Sequence, residues 1–405
     1  MDIRELSSGC LSCSNPFCEK HCPLHNRISD IIKEIKKGDY LKAREILDET
    51  SPFPYICSRV CNYEKQCYGN CVKNRMNVPV KVYEIEKILS EIELTHVVKK
   101  KNGIRIAIIG AGVSGLAMAK ILSIKGYEVH VFEKENFIGG TIYTGIPEYR
   151  LDRSYIKRIE DEMQDLNVNI HLNTKYPKDI DIQRLKDEGY EKIIFAIGNT
   201  VSNRMNLEND KHALNGLDVL YDLNVCHKQS DYSKYDSALV VGGGNVAFDC
   251  ARSLKRIIEK VTIVYRRSIK EMPANRDEID AALNEGVIIK ELVNPCRIDV
   301  EGDHYCVKCQ KMRLNGIGDD GRSLFEVIED DYEYLDTGLF VMAIGQKTEK
   351  YDDGLTRDRS NNILTDDLYG TDIDGVYAIG DCVSGPSNVA QAIYNARRCI
   401  ELNEW

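Results

Sequence analysis

The chain has 405 residues, 43% of them hydrophobic and 29% charged, the composition of a folded globular protein rather than a disordered or membrane chain, and its length predicts about three domains. A net charge of -10 excludes a protein that holds nucleic acid by neutralising phosphates with Lys and Arg. The opening Met1 to Ser12 carries acids instead of a signal peptide's apolar run, and no stretch reaches the ~18 apolar residues of a spanning helix, so the expectation is a cytoplasmic protein with neither nucleic-acid nor membrane partners.

Eight of the fifteen cysteines fall between Cys10 and Cys71, as Cys10, Cys13, Cys18 and Cys22, then Cys57, Cys61, Cys67 and Cys71. In a large chain without a secretion signal such crowding points to metal rather than disulfides. The first group, CLSCSNPFCEKHCP, is a CxxCx₄CxxxCP run close to the ferredoxin pattern, in which the fourth cysteine serves the other cluster; two [4Fe–4S] clusters follow. Zinc knuckles are the alternative, but they favour paired CxxC units, and here only Cys10 and Cys13 form one. Between the groups, Ile31, Ile32, Ile35, Leu41 and Ile46 recur at helical spacing, interrupted at Lys37-Gly38-Asp39. That pattern predicts two short helices in a small all-α domain over residues 1–100.

Arg105 to Ile109 then reads as an apolar strand entering Gly110-Ala111-Gly112-Val113-Ser114-Gly115 and a helix to Ile124. This is GxGxxG in the context it requires: Gly110, Gly112 and Gly115 let the backbone turn tightly and approach a pyrophosphate at the helix N-terminus beside Ser114, and Glu133, ending the strand Glu128 to Phe132, is placed to bond a ribose hydroxyl. A second copy runs from Ala238 through Gly242-Gly243-Gly244-Asn245-Val246-Ala247 to a helix ending near Ile258 and a strand Val261 to Val264. Gly242, Gly244, Asn245 and Ala247 take the matching positions. After its strand come Arg266 and Arg267 where the first copy has Glu133; arginine pairs with a 2′-phosphate that a carboxylate repels, which favours NADPH over NADH, the alternative being a solvated basic cluster.

Ile193 to Gly198 and Phe340 to Gly345 both end in Ala-Ile-Gly and read as connecting segments between the two folds. Cys306 and Cys309 form a CxxC in a strand-rich stretch and read as an incidental pair. Near the C-terminus, Gly375 to Asp381 is a strand ending in Gly380 and Asp381, followed by a helix from Asn388; Asp381 can bond a flavin ribityl chain, and the helix N-terminus at Asn388 can stabilise negative charge on a reduced flavin. The expected architecture is α/β: two Rossmann-like dinucleotide-binding domains in a glutathione-reductase-like arrangement, with the all-α iron–sulfur domain in front. The FAD domain takes residues 103–232 and 338–405, and the NADP domain, 233–337, is inserted in it.

The cysteine run from Cys10, Gly145-Ile-Pro-Glu-Tyr-Arg-Leu151, Tyr265-Arg-Arg-Ser268 with Glu271-Met-Pro-Ala274, and Gly380-Asp-Cys-Val-Ser-Gly-Pro386 together resemble the small subunit of bacterial glutamate synthase and the N-terminal half of dihydropyrimidine dehydrogenase, over nearly the whole chain. The resemblance implies that Cys10, Cys13, Cys18 and Cys71 bind one cluster, and that Cys22, Cys61 and Cys67 bind the other with Glu86 as a non-cysteine fourth ligand. Coordination chemistry alone prefers the Cys57 thiolate to that carboxylate, so Glu86 and Cys57 both stand as candidates. The chain departs from the family at Asn62, where a proline is usual. Gly140 and Arg150 join the expected cofactor-binding residues.

The expected chemistry is hydride transfer from NADPH to FAD, which needs no protein acid or base, followed by single-electron transfer through the clusters to a larger catalytic subunit or a ferredoxin. A stand-alone or bifurcating NAD(P)H:ferredoxin oxidoreductase is the alternative, and a non-catalytic redox sensor a third reading. No cysteine pair lies near the first glycine loop, which argues against a disulfide reductase.

Overall fold

The computed structural model describes residues 2–205, 207–318 and 323–405. They divide into two compact units: residues 1–142, 148–199 and 347–405 form one, and residues 143–147 and 200–346 the other.

The first unit opens with the helices Ile3–Ser8, Phe17–Lys20, Ile28–Lys37, Tyr40–Thr50, Pro54–Val60 and Val82–Ser90. The expected break falls between the third and fourth. Gly38 takes φ +86, a left-handed cap that favours glycine, and the Asp39 side chain accepts from Lys42 N to start the next helix. Restarting the helix resets its phase, so Ala43, Ile46 and Leu47 pack on Ile31, Ile32 and Ile35, while Leu41, expected inside, is 53% exposed.

Behind this segment stands a parallel sheet in the order Val376–Ala378, Lys192–Phe195, Arg105–Ile109, Glu128–Phe132, Asn169–His171. Ile106 to Ile109 are buried on both faces, as a continuous apolar run in a covered parallel sheet must be. The helical segment is fastened to this fold through Lys120, on the helix Val113–Ile124: its ammonium is buried and donates to Pro52 O and to Glu162 Oε2, each at 2.8 Å. Tyr55 donates to the other Glu162 oxygen at 3.1 Å, and the Arg158 guanidinium lies 4.2 Å from the Tyr55 ring centroid.

The second unit repeats the plan. Its parallel sheet runs Leu214–Asn215, Leu339–Met342, Ser237–Val241, Lys260–Tyr265, Ile288–Glu291. An antiparallel sheet of Val293–Glu301, His304–Ile317 and Ser323–Thr337 completes it. The expected boundaries shift accordingly: residues 200–232 and 338–346, assigned above to the FAD domain, lie in the second unit, because Leu339–Met342 pairs with Ser237–Val241 and the helix Gly216–Asn224 packs on that sheet. Cys306 and Cys309 stand three apart in one strand and so point to opposite faces.

Candidate functional site

In the first unit the glycine loop is fixed by backbone approach. Gly110 has φ +107, and a Cβ there would meet Ala196 O at 2.5 Å; a Cβ on Gly115 would meet Gly110 O at 2.2 Å. Gly112 differs: as N-cap of Val113–Ile124 it has an ordinary φ of -73, and a Cβ there would meet nothing within 4 Å. The space in front of this helix end is open, and no side chain caps it. Gly139 forms a bridge with Gly112, and a Cβ on Gly140 would stand 3.0 Å from Gly112 Cα, so a second glycine pair borders the same space. From the C-terminal segment Gly380 arrives at φ +72, close enough that its Cβ would meet Ser114 Oγ at 2.7 Å.

Glu133 is buried, and burial raises its pKa. Its Oε2 accepts from Ala111 N at 2.7 Å and Oε1 from Glu135 N at 3.0 Å, so the carboxylate holds the glycine loop itself. Asp381, also raised by burial, accepts from Ser387 Oγ at 2.5 Å. Asn388 caps the helix Val389–Leu402 through Gln391 N at 3.0 Å. Arg150 lies half-buried between the helices Thr141–Thr144 and Ser154–Asp165.

The second glycine loop obeys the same geometry. A Cβ on Gly242, at φ +146, would meet Ala343 O at 2.3 Å, as Gly110 meets Ala196; Gly244, N-cap of Asn245–Lys255, again opens on nothing within 4 Å. The two Ala-Ile-Gly segments therefore do more than connect: each passes its alanine carbonyl against the first glycine of its own loop. Ala247 is fully buried beside Gly242, and Asn245 Oδ1 accepts from Asn275 N at 2.9 Å. Arg266 is exposed with its guanidinium 4.7 Å from the Phe325 centroid; Arg267 lies 5.1 Å from the same ring and donates Nε to Ser323 O at 2.9 Å. Sequence reasoning missed Asn275, although it directly follows the quoted Glu271-Met-Pro-Ala274, and it missed Phe325, which a hairpin brings from more than fifty residues away.

The cysteines separate into two places. Cys10, Cys13, Cys18 and Cys71 line one cavity together with Leu11, Phe17 and Val72. Cys22, Cys61, Cys67 and Glu86 act on one another elsewhere in the helical segment, and Cys57 touches this group through a hydrogen bond with the Cys61 thiol. Among the described residues no three such side chains close on one point as a mononuclear ion requires. Burial pushes the Cys18 and Cys22 thiols up to about 12 and Glu86 to about 7; the hydrogen bond with Cys57, then burial, raises Cys61, and burial with the repulsion of Glu86 and Cys22 raises Cys67. The dominant influences on these groups are burial and each other, not a lysine or arginine. Acidic ligands gathered away from water fit a positive iron centre that replaces their protons. Glu86 keeps one anchor, Asn26 Nδ2 at 2.8 Å, and Asn26 Oδ1 in turn accepts from Thr50 Oγ1 at 2.7 Å. Neither partner was visible in the sequence.

One helix runs from the Asp381 segment to the helices that carry this group. Val389–Leu402 is capped by Asn388, and past its midpoint Arg397 donates to Leu24 O at 2.9 Å and Thr50 O at 3.0 Å, while Tyr394, one turn earlier, packs edge-on to His25 with ring centroids 5.3 Å apart. Leu24 and His25 directly follow the Cys22-Pro23 pair.

Residues 104–396 match the family described as pyridine nucleotide-disulphide oxidoreductase, and residues 2–98 the dihydropyrimidine dehydrogenase domain II, 4Fe-4S cluster. The chain is 28% identical to the NADPH glutamate synthase small chain of Escherichia coli K12, over 98% of this chain and 90% of that one. It is 31% identical to the NADP(+)-dependent formate dehydrogenase subunit beta of Moorella thermoacetica, over 96% of this chain but 59% of that longer protein. Among solved structures, FprA of Mycobacterium tuberculosis in complex with NADPH matches with a TM-score of 0.64 at 17% identity, over 74% of this chain and 85% of that one, a likeness of fold. The open helix ends, the paired glycine loops and the clustered thiols thus belong to a member of the pyridine nucleotide-disulphide oxidoreductase family, a flavin oxidoreductase that uses FAD and NADPH and carries a 4Fe-4S domain at its N-terminus.

Proposed function

We propose that this chain is the electron-input component of a larger reductase, taking hydride from NADPH and delivering single electrons through two [4Fe–4S] clusters to a partner subunit. The observation that carries this is the helix Val389–Leu402, whose capped start adjoins Asp381 and whose Arg397 grips the segment following Cys22. Bound FAD supplies the chemistry that turns one hydride into two separate electrons. The protein's own part is placement. Gly110, Gly112, Ser114, Gly115 and Gly140 make room for the FAD pyrophosphate at a helix N-terminus, Glu133 and Asp381 serve its ribose and ribityl hydroxyls, Asn388 fixes the helix facing the ring, and Arg150 completes the site. Gly242, Gly244, Asn245 and Ala247 receive the NADPH pyrophosphate, with Arg266 and Arg267 for its 2′-phosphate.

Cys10, Cys13, Cys18 and Cys71 hold the outer cluster, and Cys22, Cys61, Cys67 and Glu86 the inner one, Cys57 lying beside it. A glutamate synthase small chain and a formate dehydrogenase subunit beta each work, by name, beside other chains, which supports a larger partner here; a ferredoxin is the other acceptor of suitable chemistry. We place the protein in the cytoplasm, where thiols stay reduced. The test is anaerobic purification with iron, sulfide and flavin quantitation, then NADPH titration followed by absorbance and low-temperature electron spin resonance. About eight irons and one FAD, with a cluster signal after NADPH, support the reading; zinc or no metal in a chain whose flavin still bleaches overturns its iron–sulfur half.

A further inference from the structure

The surface around the outer thiols differs in character from the rest of this acidic chain. The loops 9–18 and 71–80 contain no acid, in a protein of net charge -10. Leu11 is 65% exposed, Phe17 47% and Val72 37%, three apolar side chains lining the cavity of Cys10, Cys13, Cys18 and Cys71, and the loop that runs on from Cys71 exposes Met76 and Val78 as well. Cations surround them. Lys36 donates to Cys10 O at 2.9 Å, the Lys73 ammonium lies against Gly9, Lys20 stands 5.8 Å from the Phe17 ring centroid, and Arg75 is exposed. The adjacent acid, Glu19, is turned inward to accept from Ser29 N at 2.7 Å. The other thiol group offers no such opening: Cys22, Cys57 and Cys67 are buried, and the segment after Cys22 is covered by the helix Val389–Leu402.

We infer that this apolar patch with its basic rim is the face on which the electron acceptor docks, and that the acceptor is a protein presenting an acidic rim around an apolar centre. The inference rests on the cluster assignment proposed above. An apolar centre with charged surroundings is how protein interfaces divide adhesion from steering: the desolvated core supplies affinity, and complementary charge sets orientation and on-rate. An otherwise acidic molecule repels an acidic carrier everywhere except at this basic rim, so such a carrier is steered here, next to the more accessible thiols.

The test uses the full iron-loaded chain, prepared anaerobically and oxidised, titrated calorimetrically with an acidic plant-type [2Fe–2S] ferredoxin as probe and basic cytochrome c as the opposite-charge control. Ferredoxin binding is expected to weaken about tenfold or more on raising salt from about 20 to about 200 mM, and by a similar factor in the Lys73→Glu/Arg75→Glu double variant. Met76→Asp weakens it as well, at an exposed position where folding is not at stake, whereas Lys157→Glu, on the helix Ser154–Asp165, leaves it unchanged. No ferredoxin binding, salt-insensitive binding, a loss of cytochrome c binding in Lys73→Glu/Arg75→Glu equal to that of ferredoxin, or equal loss of ferredoxin binding in Lys157→Glu overturns the inference. Iron and sulfide are measured on the same samples: a cluster-bearing chain that fails to bind overturns the docking face alone, whereas a metal-free chain that binds with the expected salt dependence overturns the cluster assignment instead.

Discussion

Two glycines only two residues apart, Gly110 and Gly112, make opposite demands, and this separates what the chain needs to fold from what it needs to bind. Gly110→Ala puts a Cβ 2.5 Å from Ala196 O at a φ of +107, so it breaks the turn in the empty protein. Gly112→Ala meets nothing, and at an ordinary φ it should leave the apoprotein as stable as before or better by about 0.4–1 kcal/mol. The open space matters only if a pyrophosphate fills it. Gly112→Ala is therefore expected to fold with little or no FAD, read as the flavin-to-protein absorbance ratio alongside the melting temperature of the apo form. Full flavin content in that variant would mean that the dinucleotide does not approach the helix there. Glu86 and Cys57 allow a similar contrast. Glu86→Ala leaves the Asn26 amide without its buried acceptor and is expected to lower iron from about eight towards about four per chain. Cys57→Ala removes only a neighbour of Cys61 and should keep the iron; the reverse pattern in iron analysis makes Cys57 the ligand.

The helix Val113–Ile124 serves two masters, its N-terminus at the glycine loop and its flank at the iron–sulfur segment, and the flank hangs on one buried charge. Lys120 is 1% exposed; Glu162 is its nearer carboxylate at 2.8 Å, and Asp48 stands 3.9 Å away. Glu162→Ala leaves that buried ammonium with Pro52 O and the more distant Asp48 and should cost about 3 kcal/mol, whereas Lys120→Met keeps an apolar stem in place and leaves Glu162 partly solvated beside Arg158, so it should cost clearly less. Chemical denaturation of both variants checks the order. Nothing local announced this contact: Lys120 sits in a helical pattern as an ordinary lysine, and its partners lie 42 and 68 residues away. The glycine loops and cysteine run were legible because each is a local constraint, a turn that only glycine makes or a thiol spacing that only a metal explains. The break at Gly38-Asp39 was legible for the same reason. Leu41, the Lys120 clamp, the Asn26–Thr50 support of Glu86 and the stacking of Phe325 on Arg266 depend on which distant element comes to lie alongside, and an apolar or charged residue carries no mark of that. The unit boundary was misplaced at 338 because Phe340 to Gly345 looks like its counterpart in the first fold; pairing with Ser237–Val241, not the motif, decides where it belongs.

The repeated plan explains how one chain holds two dinucleotides. Each sheet puts a glycine-loop strand at its centre, a strand ending in a selecting side chain on one flank and an Ala-Ile-Gly strand on the other, and each presents an uncapped helix end to open space. Gly244→Ala should then mirror Gly112→Ala in the second site alone, raising the Kd for NADPH while flavin content stays full, which equilibrium titration reads directly. What the repeat lacks is an exit for electrons; on the proposed reading the added helical segment provides it, and the helix Val389–Leu402 bonds that segment. Arg397 spans the join: one nitrogen bonds Leu24 O beside the Cys22 turn, and the other bonds the carbonyl of Thr50, whose hydroxyl holds Asn26, which in turn holds Glu86. Arg397→Ala leaves two carbonyls without a donor and frees this chain of contacts from the helix that starts at Asn388. It touches neither glycine loop, so bleaching of the flavin by NADPH should proceed at its normal rate. Reduction of the clusters should slow about tenfold or more, because a misplacement of about 1 Å is enough to cost that much in a reaction set by geometry. Rapid mixing with NADPH, followed by flavin absorbance and freeze-quenched electron spin resonance, separates the two steps. If both slow together, Arg397 supports the whole fold rather than the join; if neither does, electrons leave the flavin by another route.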